Sequence, residues 1–270
     1  MEGVRARSVA LVTGASRGIG LELARELAAR GYPLVLAARN EEKLAAAAAS
    51  LSGEHGVRVD TVAVDLSRPE GPSALAAAMC ERGVEPEILV NNAGAGTRRP
   101  FVDVDEAYLQ ALVQLNVASV AQLSRVFVRG MVARGRGHVL NVASAVAFVP
   151  APFMAAYLAS KAFVLSLTAA VNEEIRGTGV TATALCPGFT RTDFTAALFG
   201  SAPPHGMMSA SSVARAGVEG MLAGRAVVVP GARYKLVFLA SGLGRRLFTA
   251  KIGRMLRDPA ADRGGERQRF

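Results

Sequence analysis

Tyr157 and Lys161 stand four residues apart, and Ser144 precedes the tyrosine by thirteen. These types at this spacing can move a proton. On a helix, positions i and i+4 share a face, so the lysine ammonium would lie beside the phenol. A neighbouring cation favours phenolate and is expected to lower a pKa that is ~10 when unperturbed. That would tune the phenol to give and take a proton. Ser144, at the end of an apolar strand pattern, can donate to a carbonyl oxygen that the phenol would protonate, orienting it and stabilising negative charge as it develops.

Near the start of the chain, a strand pattern runs directly into Thr13-Gly14-Ala15-Ser16-Arg17-Gly18-Ile19-Gly20, and a helical pattern opens at once. Glycines at 14, 18 and 20 permit a tight turn and close approach of a pyrophosphate, whose charge the free N–H groups of a helix N-terminus stabilise. Three residues, rather than the commoner one, separate the first two glycines. A carboxylate about 20 residues beyond such glycines normally binds the adenosine ribose of NAD. Here the second strand ends in Ala37-Ala38-Arg39-Asn40, without an acid. Arg39 and Arg17 can instead supply charge-assisted hydrogen bonds to a 2′-phosphate, which favours NADP(H). Asp65-Leu66 after the third strand and Asn91-Asn92-Ala93-Gly94 after the fourth would complete a cofactor wall. Asp65 can accept from the adenine amino group, and the Ala93-Gly94 backbone lets the ribose approach.

Taken in order with Pro187-Gly188-Phe189-Thr190-Arg191-Thr192, these motifs resemble the classical short-chain dehydrogenase/reductase family over roughly residues 8–230. The resemblance implies an NADP(H)-dependent oxidoreductase that reduces a ketone or oxidises a secondary alcohol, with Tyr157 as general acid and base. It implies that Asn116 is a fourth catalytic residue, holding a water that links Lys161 to solvent. Tyr157 and Lys161 would also hold the cofactor, and Pro187, Gly188, Thr190 and Thr192 would lie along its carboxamide and phosphates. Two rival readings remain: a non-catalytic NADP(H)-binding regulator, and a membrane-surface lipid or steroid oxidoreductase with the same chemistry. A regulator would keep the glycine loop and lose the tyrosine or the lysine, yet both are present.

Elements able to position these residues are visible as apolar runs: Val9 to Val12, Leu34 to Leu36, Val57 to Val64, Ile88 to Val90, His138 to Val142, Val180 to Leu185 and Val227 to Val229. Uninterrupted hydrophobicity means burial on both faces, as in parallel strands covered by helices. Asn40-Glu41-Glu42-Lys43 reads as a helix start, Ala74 to Arg82 as a helix stopped by Gly83, and Asp105–Arg134 and Ala156–Arg176 as longer helices. The expected fold is α/β, a doubly wound Rossmann-type sheet of about seven parallel strands with helices on both faces. Ligands bind such sheets beyond the strand C-termini. Two apolar stretches, Ala145 to Met154 and Phe194 to Met208, would frame a small, largely apolar substrate, with Phe148, Phe153, Met154, Phe194 and Leu198 as its wall.

Composition narrows the function classes further. Of 270 residues, 51% are hydrophobic and 20% charged, enough for a sizeable core. No export signal is recognisable at Met1 to Arg7 and no uninterrupted apolar run reaches the roughly 18 residues of a membrane span, so a cytoplasmic protein is expected. Two cysteines and three histidines lack metal-ligand spacing. The net charge of +9 is concentrated beyond residue 230, from Arg233 and Lys235 to Arg267 and Arg269. The chain is therefore divided into a catalytic domain at 1–230, a basic amphipathic extension at 231–259 and a disordered tail at 260–270. Packing on the domain or a subunit is favoured for the extension over membrane-surface contact through residues 232–257. Nucleic acid is not an expected partner, because no basic platform interleaved with aromatics is present. The two longest helices carry more apolar positions than one core stripe needs, which points to a homodimer or homotetramer.

Overall fold

The computed structural model describes residues 8–148, 150–200, 203–231 and 234, with the side chains of Val146 and Phe148 outside the description. The basic segment and tail therefore lie outside the described residues, apart from Gly231 and Tyr234. In chain order the elements are β1 (Ala10–Thr13), α1 (Gly18–Ala28), β2 (Leu34–Ala38), α2 (Glu41–His55), β3 (Val59–Ala63), α3 (Gly71–Glu81) and β4 (Ile88–Asn91). There follow α4 (Glu106–Val113), α5 (Ser119–Arg134), β5 (Gly137–Val142), α6 (Ala155–Glu174) and β6 (Val180–Leu185). The last are β7 (Thr190–Arg191), α7 (Asp193–Phe199), β8 (Met208–Ser209), α8 (Ala210–Leu222) and β9 (Val227–Val228).

Seven strands form one sheet in the order β3-β2-β1-β4-β5-β6-β9, and every pairing in it is parallel. Each apolar run of the sequence becomes one of these strands. Alternate residues face opposite layers: Ala10 and Val12 pack with Leu23, Leu44 and Val218 of α1, α2 and α8, whereas Leu11 packs with Leu75, Met79 and Phe127 of α3 and α5. The chain leaves β1 for β2 on one side and returns to β4 on the other. This reversal opens a crevice beyond the C-terminal ends of β1 and β4.

Local chemistry sets the helix ends. Asn40 accepts from the Lys43 N–H at 2.7 Å and caps α2, as its sequence predicts. Helix α3 begins at Gly71, three residues before the expected Ala74, because Pro72 suits a first turn that lacks intrahelical N–H partners. Gly83 follows it with φ +63. The helix expected over 105–134 is capped by Asp105 but is not uniform, since a π turn at Gln114–Ala118 joins α4 to α5. Helix α6 and the stretch Glu106–Arg134 are long and apolar enough to cross a membrane by length and composition alone. Here both lie along the sheet. The short β7–β8 pair and helix α8 go beyond the elements expected from the sequence, although Ser209 caps α8 and Val213, Ala214, Val218 and Met221 are buried at helical spacing.

A buried polar chain ties the layers together. Asn91 Nδ2 donates to Ser124 Oγ at 3.2 Å and Asn141 Oδ1 at 2.9 Å. Asn141 Nδ2 in turn donates to Thr168 Oγ1 at 2.9 Å, linking β4, β5, α5 and α6. Asn141→Ala would leave Asn91 and Thr168 short of partners inside the core. It is expected to lower stability by about 2–3 kcal/mol, read as a lower urea midpoint at unchanged slope.

Candidate active site

The crevice is built on one hydroxyl at the end of β1. Thr13 Oγ1 donates to the Val90 carbonyl at 3.2 Å and accepts from the N–H groups of Asn92 at 3.0 Å and Ala93 at 3.1 Å. Asn92 answers by donating to the carbonyls of Thr13 at 3.0 Å and Gly14 at 3.1 Å. The glycine loop and the turn after β4 are thereby fixed to each other. They also touch: a Cβ at Gly14, which has φ +64, would sit 2.8 Å from Ala93 Cα, and one at Gly20 would sit 2.3 Å from Asn92 Nδ2.

Beyond this junction lies a cavity of about 560 Å³ that runs from Arg39 and Asp65 at one end to Phe194 and Leu198 at the other. The expected residues Gly14, Ser16, Arg17, Gly18, Ile19 and Gly20 line its floor, with Leu66, Asn92, Ala93 and Gly94 beside them. Ser144, Tyr157, Lys161, Pro187, Gly188, Thr190 and Thr192 line its middle, and Met154 joins Phe194 and Leu198 at the apolar end. Asp65 Oδ1 accepts from the Ser67 N–H at 2.9 Å and from its hydroxyl at 2.6 Å, so only its other oxygen remains for a ligand.

Burial governs the central groups. Lys161 is 5% exposed. Its Nζ donates to the Val142 carbonyl at 2.8 Å and lies 5.9 Å from the centre of the Tyr157 ring. Desolvation lowers its pKa to about 8, against an upward pull from Cys186. The Tyr157 phenol is raised to about 12 by burial, opposed by a hydrogen bond with Ser144. This differs from the expectation from sequence that the ammonium would lower the phenol: taking a phenolate out of water raises it, while the ammonium stands 5.9 Å from the ring centre and donates to a carbonyl. Ser144 Oγ also reaches the Pro187 carbonyl at 3.5 Å.

Among the described residues, two that the sequence singles out, Asn116 and Phe153, are not part of the cavity lining. Asn116, in the π turn and fully buried, accepts from the Ala95 N–H at 2.9 Å and donates to the Ala95 carbonyl at 2.8 Å and Ser160 Oγ at 3.0 Å. It staples the loop after β4, and a Cβ placed on Gly94 would lie 3.4 Å from its Oδ1 and 3.3 Å from Lys161 Nζ. Phe153 has a left-handed backbone, φ 68, and its carbonyl accepts from the Arg99 N–H at 2.8 Å. This turn brings Met154 to the cavity, while Phe153 packs against the neighbouring apolar cluster. The Phe148 side chain lies outside the description.

Other lining residues were missed. Lys43 lines the end near Arg39; its signal was a cation one turn beyond the second strand, on a helix whose cap had been recognised. Ala151, Leu158, Phe189 and Phe199 extend the apolar wall. Tyr234, assigned from sequence to the C-terminal extension, also lines the cavity. Its hydroxyl accepts from the Phe189 N–H at 3.0 Å, and its ring covers Gly188, where a Cβ would lie 2.0 Å away. No sequence pattern announced that long-range contact.

A doubly wound sheet, a glycine loop at its reversal and a buried serine, tyrosine and lysine beside it define a dinucleotide-binding fold that carries groups able to exchange a proton. A family model described as short chain dehydrogenase matches residues 8–201, and the chain belongs to that family. It is similar to a very-long-chain 3-oxoacyl-CoA reductase from Laccaria bicolor, 36% identical over 181 residues, or 66% of this chain and 54% of the relative. The chain thus spans about half the length of that relative. It is also similar to the granaticin polyketide synthase putative ketoacyl reductase 1 of Streptomyces violaceoruber, 40% identical over 193 residues and 70% of each. Among solved structures, a short-chain dehydrogenase from Sphingobium yanoikuyae in complex with NADPH superimposes with TM-score 0.81 at 30% identity, covering 93% of this chain and 99% of that one.

The glycine loop fits a dinucleotide: residues 14 and 16–20 line the cavity, and the absence of side chains at 14 and 20 lets the loop pack tightly against the turn after β4. Its stability rests on the hydroxyl of Thr13. Thr13→Val is expected to leave two inward N–H groups unpaired, to lower stability by about 1–3 kcal/mol and to weaken dinucleotide binding about tenfold, measured by thermal unfolding and fluorescence titration.

Proposed function

We propose that this protein is an NADPH-dependent reductase of a ketone carried on an apolar chain, of the 3-oxoacyl type. The observation that carries this reading is the convergence of Ser144, Tyr157 and Lys161 on a cavity whose far end is walled by Met154, Leu158, Phe194, Leu198 and Phe199. The names of the Laccaria and Streptomyces relatives support the acyl class. The NADPH preference is supported by the absence of an acid at the end of β2 and by Arg39 and Lys43 along the same wall, Arg17 being paired with Asp193. The Sphingobium neighbour in complex with NADPH agrees with it.

The bound dinucleotide would supply the hydride, held by the glycine loop, the Asp65-Leu66 turn, Asn92 to Gly94 and the Pro187 to Thr192 segment. Ser144 and Tyr157 would grip the carbonyl oxygen from one side through two hydroxyls. The apolar wall excludes water, so those hydrogen bonds act at low dielectric as charge grows on the oxygen. Tyr157 is a phenol at neutral pH and is ready to donate its proton there. Lys161, still protonated below about pH 8, stabilises the phenolate left behind. Asn116 shapes the loop over Gly94, next to the Lys161 ammonium, where proton resupply would begin.

The exposed apolar residues Val113, Val126, Val132 and Phe163 on α4, α5 and α6 support a homo-oligomer. Light scattering should then return a multiple of the 28.0 kDa chain mass.

Tyr157→Phe is expected to cost about 10²–10⁴-fold in turnover of a 3-oxoacyl thioester, while fluorescence titration still detects NADPH. Turnover kept by this variant would overturn the assigned role, and a preference for NADH would overturn the use of Arg39. The pH dependence has a definite sign. Reduction needs Tyr157 protonated, which holds up to about 12, and Lys161 charged, which fails above about 8. The reductive rate should therefore fall as pH rises through the region of 8, well before the phenol ionises. A rate flat to pH ~10 would contradict it.

A further inference from the structure

Helix α7 meets both halves of the site. Its cap, Thr192, would lie 3.5 Å from a Cβ on Gly18 of the glycine loop. Its first residue, Asp193, pairs with Arg17 of that loop at 3.3 Å. Its second, Phe194, stands against Tyr157 with ring centres 5.6 Å apart and planes tilted by 42°. The two rings close over Gly96, where a Cβ would lie 2.9 Å from Tyr157 Cδ2 and 3.0 Å from Phe194 Cζ. Gly96 cannot recede, since its carbonyl accepts from the Tyr108 hydroxyl at 2.9 Å and the adjoining Ala95 is held by Asn116 at both backbone atoms.

We infer that Phe194 is a positioning residue: it holds the Tyr157 ring against the Gly96 backbone and keeps water from it, and the Arg17–Asp193 pair clasps α7 to the glycine loop so that this contact persists. The inference rests on the proton-transfer role assigned to Tyr157 above, and it goes beyond the place of Phe194 in the substrate wall. The ion pair is largely exposed, at 60% and 72% for the two side chains. Such pairs are weak, so the clasp can open for exchange of a dinucleotide. The apolar ring contact is the stronger element.

The surroundings of Tyr157 make the state of its phenol a direct report on that contact. Lys161 faces it from its own helix, and Ser144 bonds it from the end of β5. Cys186, at the end of β6, acts on Lys161 and Ser144 rather than on the ring. From the β4 side come Gly96 with the Tyr108 hydroxyl on its carbonyl, and from α7 comes Phe194 followed by the Asp193–Arg17 pair. Arg98 is turned to the other end of α7, 5.0 Å over the Phe199 ring. Loss of the Phe194 ring removes apolar cover and puts no charge in its place. The phenol should then move back towards its ordinary value.

The test follows the Tyr157 resonance in the full-length protein with isotope-labelled tyrosine, assigned by comparison with Tyr157→Phe, alongside steady-state kinetics. In Phe194→Ala the Tyr157 titration is expected about one pH unit lower than in the parent. Turnover should fall about tenfold, with NADPH affinity within about twofold. Phe194→Leu should fall between the two, and serves as the readout if the alanine variant does not fold. Asp193→Asn, remote from the phenol, should shift both quantities in the same direction by about two- to threefold in turnover, and Asp193→Glu should restore them. A change confined to KM with an unmoved titration would show Phe194 to be substrate wall only and overturn the inference, as would a shifted titration at unchanged turnover. Because the titration is read without substrate, it tests the ring contact even if Tyr157→Phe retains activity and the role assigned to Tyr157 fails.

Discussion

An ammonium held out of water is the demand around which this site is organised. Among the described residues Lys161 has one acceptor at hydrogen-bond distance, the Val142 carbonyl, and a buried cation costs several kcal/mol unless it is hydrogen-bonded. That acceptor is available because Val142 is the last residue of β5, where the ladder no longer uses every carbonyl. The first turns of α6 must then cross the end of β5 closely. Ser160 is pinned between Asn116 and the Tyr157 carbonyl, which leaves the helix little freedom to rotate. Tyr157, one turn earlier, is carried to the cavity by the same constraint.

The dryness that costs the lysine its usual pKa also sets the phenol. Both shifts favour neutral forms, so the site stores no phenolate in advance. A protonated phenol and a still-charged lysine are the forms that the proposed reduction would draw on first. The price is a narrow window on the alkaline side. Cys186, buried beside Lys161 and raised to about 12, remains a thiol and adds no anion to the pocket.

Much of this was legible in the chain because it depends on short-range rules. Seven apolar runs became seven parallel strands, since burial on both faces leaves no room for polar alternation. The glycine loop, the Asn91 to Gly94 turn, Ser144 and the Tyr157–Lys161 pair lie within a few residues of strand ends, where this fold puts its ligands. What escaped depends on contacts distant in sequence. Tyr234 meets Gly188 across more than forty residues, and Thr13 bolts β1 to β4 across nearly eighty. Phe153 reads as one more apolar wall residue, yet its left-handed backbone decides that Met154 faces the cavity instead. The direction of the Tyr157 shift was misjudged because spacing reveals a neighbour but not the solvent around it.

Strand ends and α7 divide the work unequally. Groups anchored at strand ends are bonded to the sheet: Asn92 to β1, Lys161 to β5, and the Ala145 N–H to the Pro187 carbonyl at 2.8 Å. Helix α7 has only seven residues. It is held by its own threonine cap, a bond from the Thr195 hydroxyl to the Thr190 carbonyl at 2.7 Å, an exposed ion pair and aromatic contacts, of which Phe189–Phe199 is edge-on at 5.3 Å. Weakly bonded short elements open at low cost, whereas the sheet opens only with global unfolding. A ligand that enters between the two can therefore displace α7 while the sheet-bonded anchors stay in place, and the contact of Phe194 with the Tyr157 ring is made again only when the helix closes. The sheet fixes where the groups stand, and α7 completes the cover over one of them.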